Sequence, residues 1–106
     1  MNRLEHYART EQFDRPTLII DVDTVEQNYH KLKAGMPDTH IHYAVKANPH
    51  PEILKRLVSI GSRFDAASIG EIDLCLTAGA KPEHISFGNT VKRPSDIAEA
   101  AAKGIT

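Results

Sequence analysis

The chain has 106 residues, of which 41% are hydrophobic and 25% charged, with a formal net charge of −1 at pH 7. These values are typical of one small globular domain, and the balanced charge argues against a nucleic-acid-binding surface. A polar N-terminus, no apolar stretch of membrane-spanning length and a single cysteine, Cys75, predict a cytoplasmic protein without a membrane partner, a signal peptide or an internal disulfide.

Residues 1–15 are predicted to form a polar extension, and apolar runs then alternate with amphipathic segments. A new apolar run opens roughly every 22 residues; the runs begin at Thr17, His40, Ser62, His84 and Gly104. This alternation predicts successive βα units on a parallel sheet.

The first unit is predicted to begin with a strand at residues 17–22, a nearly continuous apolar run suited to burial on both faces. The helix after it is expected to start at a capping box that runs from Thr24 to Gln27. Gly35 is expected to end that helix, just before Pro37.

The second unit contains a predicted strand at residues 41–46 that ends in Lys46, followed by a helix that ends at Gly61. A lysine at the end of a core strand either extends its charge into water or loses its proton, since burial disfavours the cation. A neutral amine can form a Schiff base with a carbonyl compound. The strand pattern alone leaves both interpretations open.

The third predicted strand covers residues 63–67, and a helix follows it from a second capping box, Ser68 to Glu71, up to Gly79. Cys75 is expected to point inward from this helix as a small apolar residue.

The fourth predicted strand is at residues 85–88, and an alanine-rich helix is expected from Pro94 to Lys103. A closed β/α barrel takes about 250 residues. We therefore expect this chain to be the N-terminal part of a longer protein.

Three polar side chains lie where predicted strands end. In a parallel βα architecture, ligands bind at the carboxyl ends of the strands, and Lys46, Asp65 and Asn89 are placed there. His40 and His42 could supply two ligands to a zinc ion, but no third or fourth ligand stands at a suggestive spacing, so no metal site is predicted.

Three motifs, in this order and spacing, resemble the group IV pyridoxal-phosphate-dependent decarboxylases, which include ornithine, diaminopimelate and arginine decarboxylases. The motifs are Tyr43-Ala-Val-Lys46-Ala-Asn48, Phe64-Asp65-Ala-Ala-Ser68 with Glu71, and Ile85-Ser-Phe-Gly-Asn-Thr-Val-Lys92. The resemblance runs from about Pro16 to the last residue. It implies an α/β fold, a partial (β/α)8 TIM barrel of the alanine-racemase type with about four βα units in residues 16–106.

The resemblance also implies site residues. Lys46 takes the position of the catalytic lysine that binds pyridoxal 5'-phosphate, and Asp65 that of the carboxylate that holds its ammonium once substrate displaces it. Glu71 matches a second acidic cofactor-site residue. Asp65 could instead cap a strand end, and Glu71 could instead pair with Ser68 in the capping box.

The substrate branch is inferred from residues 64–68 and 87–92, which look like those of bacterial ornithine or lysine/ornithine decarboxylases. The diaminopimelate branch usually has a valine-rich run before its serine, which this chain lacks. The resemblance therefore implies conversion of the small-molecule substrate ornithine to putrescine, in polyamine biosynthesis, by a homodimeric parent enzyme. Diaminopimelate or lysine remains the alternative substrate.

Two other classes remain open. One is a non-catalytic relative that keeps the barrel, like an antizyme inhibitor, and the other is an aldolase that uses Lys46 without a cofactor. The 106-residue piece alone is expected to be inactive and prone to association, because its sheet has open edges.

Overall fold

The computed structural model describes residues 2–105. From Val22 onward, helices alternate with short parallel strands, as the sequence pattern predicts. The helices are α1 (Arg3–Thr10), α2 (Val22–Gly35), α3 (Pro51–Ser59), α4 (Ile69–Thr77) and α5 (Pro94–Ala102). The strands are β1 (His42–Ala44), β2 (Arg63–Ala66) and β3 (Ile85–Phe87), with 3₁₀ turns at Val45–Ala47 and Pro82–His84.

The three strands form one parallel sheet in the order β1-β2-β3. Ala44 pairs with Asp65, and Asp65 pairs with Ser86, so these three residues form one row across the sheet. The carboxyl ends of all three strands therefore meet at one edge, which we call the carboxyl edge.

The core lies on one face of this sheet. In β2, Phe64 and Ala66 are fully buried, whereas Arg63 and Asp65, which alternate with them along the strand, are only half-buried. The buried ring of Phe64 contacts the ring of Tyr43 edge-on, with 6.5 Å between centroids. Burial of such a ring stabilises the fold by about 1.5–3 kcal/mol.

Helices α3, α4 and α5 cover that face of the sheet. The core cluster joins strand and helix residues: Val45, Ile53, Leu54, Leu57, Phe64, Ala66, Ile72, Cys75, Ile85 and Ala100. The Cα radius of gyration is 16.1 Å, against about 13 Å for a compact domain of 100 residues. The chain is thus less compact than a typical domain of this length, and its core lies on one face of the sheet.

The predicted strand at residues 17–22 is wrong. In the described part of the chain this stretch pairs with no strand, and α2 already begins at Val22. Leu18 is 80% exposed and Ile20 39% exposed. A strand needs backbone hydrogen bonds to a neighbour, and among the described residues this run makes none to β1, the edge strand of the sheet. The described residues thus hold three paired strands, not about four.

The start of α2 also differs from the prediction. Asp21, not Thr24, caps the helix, because its Oδ1 accepts a hydrogen bond from the backbone N–H of Asp23 at 3.0 Å. The helix ends at Gly35, as predicted.

The polar extension contains the short helix α1, which its sequence pattern did not predict. Asn2 caps it by accepting a hydrogen bond from the backbone N–H of Glu5 at 2.9 Å. Arg3 pairs with Asp23 of α2, and Arg56 of α3 reaches the same carboxylate at 2.8 Å. The hydrogen bonds from Arg3 and Arg56 lower the pKa of Asp23. One carboxylate thus ties three helices together.

The remaining boundaries agree with the predictions within a few residues. Helices α3 and α4 end just before Gly61 and Gly79, whose φ values of +88° and +101° lie in the left-handed region that favours glycine. The apolar run predicted from Gly104 includes Thr106, which lies outside the described residues. Among residues 2–105, no helix combines the length and apolar character needed to cross a membrane.

Candidate cofactor site at the carboxyl edge

Lys46 lies on a turn and not at the end of a strand. The predicted strand stops at Ala44, and the 3₁₀ turn Val45–Ala47 follows directly. Val45 is fully buried and anchors the turn, whereas the side chain of Lys46 beside it is exposed. The lysine therefore reaches solvent, the simpler of the two interpretations of the strand pattern.

Hydrogen bonds on both sides hold this turn in place. The hydroxyl of Tyr43 donates to the carbonyl of Asn48 at 2.9 Å, which closes the loop around Lys46. The side chain of Asn48 accepts a hydrogen bond from the backbone N–H of His50 at 3.0 Å, and His50 caps α3 through its Nδ1. Partial burial raises the pKa of Tyr43, so its phenol stays protonated and keeps donating. The backbone that carries Lys46 is therefore well fixed.

Asp65 lies in the middle strand, on the face of the sheet opposite the core. Its carboxylate turns toward β3, where Ser86 Oγ lies 3.5 Å from Asp65 Oδ1 and 3.4 Å from the carbonyl of Phe64. The hydroxyl can donate to only one of these oxygens at a time, and both distances are long for an O–H···O hydrogen bond. In the described part of the chain, Asp65 does not cap a strand end through a backbone N–H.

Glu71 takes part in the cap of α4. Ser68 Oγ accepts from the backbone N–H of Glu71 at 3.1 Å, as the capping-box prediction requires. Glu71 Oε1 accepts from the backbone N–H of Ala67 at 2.8 Å, one residue before the N-cap. The capping role is therefore confirmed, with the N–H of Ala67 as the donor in place of that of Ser68, and one carboxylate oxygen of Glu71 is already engaged.

Asn89 joins the two loops that leave β2 and β3. Its Nδ2 donates to the carbonyl of Ala67 at 3.1 Å, and its Oδ1 accepts from the backbone N–H of Val91 at 3.2 Å. Lys92, nearby, places its ammonium 5.3 Å from the centre of the Phe87 ring. Asn89 thus supports the carboxyl edge, with both ends of its amide in local bonds.

The fold brings the predicted site residues to one edge without pairing them. Asp65 lies opposite Ala44, two residues before Lys46. Glu71 is hydrogen-bonded to the loop that follows β2. Within residues 2–105, no ion pair joins Lys46 to either carboxylate. In the described structure, neither acid is paired with the ammonium of Lys46.

Cys75 is buried in the core, as predicted. Burial, with a smaller contribution from the charge of Glu71, raises the pKa of the Cys75 thiol to about 11. A thiol with such a pKa is un-ionised near neutral pH, so Cys75 is a packing residue and not a nucleophile.

Sequence reasoning missed two residues of this edge. Ser86 faces Asp65 across the sheet, which the parallel register would have indicated had the two strands been aligned residue by residue. Gly88 lies directly against the Asp65 carboxylate, and no sequence signal distinguished it from an ordinary loop glycine.

The residues of this edge fit a cofactor that carries an aldehyde. Lys46 offers an exposed primary amine on a fixed turn, and a primary amine is the group that condenses with an aldehyde. Asp65 and Glu71 offer negative charge for the ammonium form of the same lysine. A cavity of about 630 Å³ lies elsewhere, between α1 and the segment before α2, and contains none of these three residues.

Comparisons with known proteins also indicate a cofactor that carries an aldehyde. Residues 22–106 match the family model described as "Pyridoxal-dependent decarboxylase, pyridoxal binding domain". The chain is 38% identical over 86 residues to a lysine/ornithine decarboxylase of Selenomonas ruminantium. That alignment covers 81% of this chain and 22% of the relative, so the chain spans about a fifth of the relative's length.

Solved structures show the same fold. A lysine/ornithine decarboxylase of Vibrio vulnificus, solved with putrescine, superposes with a TM-score of 0.86 at 35% identity, over 97% of this chain and 28% of that one. A diaminopimelate decarboxylase of Helicobacter pylori, an I148L mutant solved with L-lysine, has a TM-score of 0.83 at 32% identity, over 97% of this chain and 26% of that one. These matches confirm the α/β fold as part of an alanine-racemase-like barrel.

Proposed function

This chain belongs to the family of pyridoxal-dependent decarboxylases, and we propose that it supplies the first βα units of the cofactor barrel of a longer amino-acid decarboxylase. The observation that carries the proposal is the exposed amine of Lys46 on the turn after β1, at the same edge as Asp65. The matching family model is that of a pyridoxal-binding domain, so pyridoxal phosphate is the cofactor of the family. The role of each residue is our assignment.

The reaction breaks the bond between the α-carbon of an amino acid and its carboxylate. Carbon dioxide leaves, the electron pair stays at the α-carbon, and a proton replaces the lost group. When bound, pyridoxal phosphate supplies the electron-withdrawing ring that stabilises this electron pair. The protein has to anchor that ring, orient the bond that breaks and manage the protons.

The Nζ of Lys46 would hold the cofactor until the amine of the substrate takes its place. The fixed turn supports this role, since Tyr43 and the buried Val45 hold the backbone on both sides of the lysine. A nucleophile held by rigid backbone loses little entropy when it reacts.

Asp65 accepts the released ammonium of Lys46 in this proposal. Its carboxylate has only a weak hydrogen bond from Ser86 and no ion pair within residues 2–105. It is therefore free to turn toward a new cation. Glu71 contributes less, because its Oε1 already accepts from the N–H of Ala67.

The test is reductive labelling of the complete enzyme. Borohydride in the presence of pyridoxal phosphate should attach the cofactor to Lys46, as found by peptide mapping. Borohydride treatment without pyridoxal phosphate but with a carbonyl substrate would label Lys46 only in an aldolase. A label on Lys92 instead of Lys46 would contradict the assignment, and no absorbance change with added cofactor would indicate a non-catalytic relative.

Ornithine is the proposed substrate, with putrescine as the product for polyamine biosynthesis. Similarity to a lysine/ornithine decarboxylase, and to one solved with putrescine, supports this choice over diaminopimelate. The similarity to a diaminopimelate decarboxylase keeps that substrate as the second candidate. We expect kcat/KM in the complete enzyme to be highest for ornithine, with lysine second; a preference for diaminopimelate would overturn the choice.

The complete enzyme is further proposed to be a cytoplasmic homodimer, as the resemblance to the family implies. Light scattering of the purified enzyme, with and without cofactor, measures its mass directly, and a monomer that retains full activity would contradict the dimer.

A further inference from the structure

Gly88, the first residue after β3, leaves the space in which the Asp65 carboxylate lies. A Cβ atom built on Gly88 would stand 1.9 Å from Asp65 Oδ1, 2.7 Å from its Cγ and 2.9 Å from its Oδ2. Real Cβ atoms essentially never come closer than 3.0 Å to another heavy atom. Any other residue at position 88 would therefore displace the carboxylate from its observed position.

The backbone conformation does not require a glycine at this position. Within residues 2–105, the glycines with positive φ are Gly61, Gly79 and Gly104, and Gly88 is not among them. A residue with a side chain could adopt the same backbone at no steric cost of its own. The three heavy atoms nearest to that Cβ all belong to Asp65, so the closest conflict is with its carboxylate.

Asp65, not the backbone of Gly88, would have to move. The N–H of Gly88 donates to the carbonyl of Ala66 at 2.8 Å, so Gly88 remains hydrogen-bonded to β2 beyond the end of β3. Asn89, next along the chain, is also bonded to the loop after β2 through Ala67. These bonds hold the loop close to the middle strand.

The short side chain of Asp65, by contrast, can rotate about χ1. The hydrogen bond from Ser86, at 3.5 Å, is too long to hold it firmly against a steric clash. The orientation of the carboxylate therefore depends mainly on the free space above Gly88.

We propose that Gly88 is a positioning residue: the space it leaves gives the Asp65 carboxylate its resting place on the β3 side of the carboxyl edge, from which the carboxylate turns to receive the ammonium of Lys46. This inference rests on the proposed function and adds to it a residue that acts through Asp65. A side chain at position 88 would rotate Asp65 away from this place without unfolding the sheet.

A double-mutant cycle in the complete enzyme tests the proposal. The variants are Gly88→Ala, Asp65→Ala and their combination, with Gly35→Ala as the matched control. A Cβ on Gly35 would meet nothing within 4 Å, and Gly35 lies at the far end of α2. The readouts are the dissociation constant for pyridoxal phosphate, from its absorbance, and the rate at which added substrate amine displaces Lys46 from the cofactor.

We expect Gly88→Ala to slow this displacement about tenfold or more, since a misplacement of about 1 Å can cost 10²-fold. Asp65→Ala should cause a similar loss. In the Asp65→Ala background, Gly88→Ala should have no further effect, because the group it displaces is gone. Gly35→Ala should leave both readouts unchanged.

Each other outcome contradicts a defined part of the argument. Losses that multiply in the double variant would show that Gly88 acts independently of Asp65, and equal rates for wild type and Gly88→Ala would show that it has no positioning role. Either result leaves the proposed function intact if borohydride still labels Lys46 in the wild type. Failure of that label overturns the proposed function itself.

Discussion

The two ends of the same three strands differ in the charges they carry. At the carboxyl edge, the Asp65 carboxylate lies beside Ser86 and Gly88. Glu71 accepts a hydrogen bond from the backbone N–H of Ala67, in the loop that follows β2. At the amino ends, which we call the amino edge, the strands carry basic groups: His42 is paired in register with Arg63, and His84 immediately precedes β3.

The amino edge contains like charges that face one another. The charge of Arg63 is the largest cause that lowers the pKa of His40, with further contributions from burial, Lys33, His42 and His84. In the part of the chain that the structure describes, Arg63 forms no ion pair. The carboxyl edge thus carries acidic side chains, whereas basic side chains crowd the amino edge and lower the pKa of His40.

The largest expected effect concerns the carboxyl edge. Lys46→Ala should lower turnover of the complete enzyme by orders of magnitude, because both anchoring of the cofactor and its transfer to substrate depend on that amine. Lys92→Ala is the matched control, since Lys92 is also an exposed lysine near this edge. Its loss should cost only the exposed cation–π contact with Phe87, about 0.5–1 kcal/mol of stability. Equal activity losses in the two variants would remove the distinction.

The second effect concerns the core that supports both edges. Phe64→Ala should destabilise the barrel by about 3–5 kcal/mol, because it leaves a cavity beside Tyr43 under the middle strand. Phe13→Ala should cost much less, since Phe13 is 39% exposed. Thermal and urea denaturation of the complete enzyme measure both changes; similar losses for the two variants would mean that the core lies elsewhere.

A smaller effect tests the cap at the carboxyl edge. Ser68→Ala should cost about 1 kcal/mol, because the N–H of Glu71 loses its acceptor. Ser95→Ala is the control, since Ser95 is exposed and α5 has no side-chain cap. The same denaturation measurements apply, and a Ser68→Ala variant as stable as Ser95→Ala would show that the cap contributes nothing.

The smallest effect belongs to the amino edge and depends on pH. The pKa of His40 in the fold is below its ordinary value of 6.5, so the folded state favours the neutral ring. The stability that this difference contributes is present above about pH 6.5 and is lost as pH falls through that value toward the lowered pKa. Asp23, with a pKa lowered from 3.8, loses its contribution only at more acid pH.

His40→Gln should therefore flatten the fall in melting temperature of the complete enzyme between about pH 7 and 5.5. His6→Gln, on α1 and outside this basic group, should leave the slope as in the wild type. A wild-type melting temperature that does not fall in this range would contradict the expected repulsion at the amino edge.

Sequence patterns predicted most of the fold because each helix carries its own local signals. The ends of α3 and α4 followed from Gly61 and Gly79, and the cap of α4 from Ser68. The predictions failed where a structure depends on contacts with a distant segment of the chain. The apolar run at residues 17–22 has the composition of a strand, yet hydrogen-bonded pairing needs a neighbour that no local pattern reveals.

The candidate site, too, could be predicted from the sequence only in part. The motif around Lys46 and the acids Asp65 and Glu71 could be identified from residues alone, and their roles remain predictions. The turn on which Lys46 lies could not, because it depends on the hydrogen bond from Tyr43 to Asn48 and on the burial of Val45. The contact between Gly88 and Asp65 joins residues 23 positions apart and follows only from the register of β2 and β3.

By itself, the sequence determined the alternation of strands and helices, the family and the identity of the groups that can react, because these depend on local periodicity and on side-chain chemistry. Only the tertiary structure decided which apolar run joins the sheet, where Lys46 meets solvent and which way Asp65 turns. These three features depend on contacts between distant residues: a strand needs a partner, a turn needs its buried anchor, and a carboxylate takes the space that a neighbouring glycine leaves open.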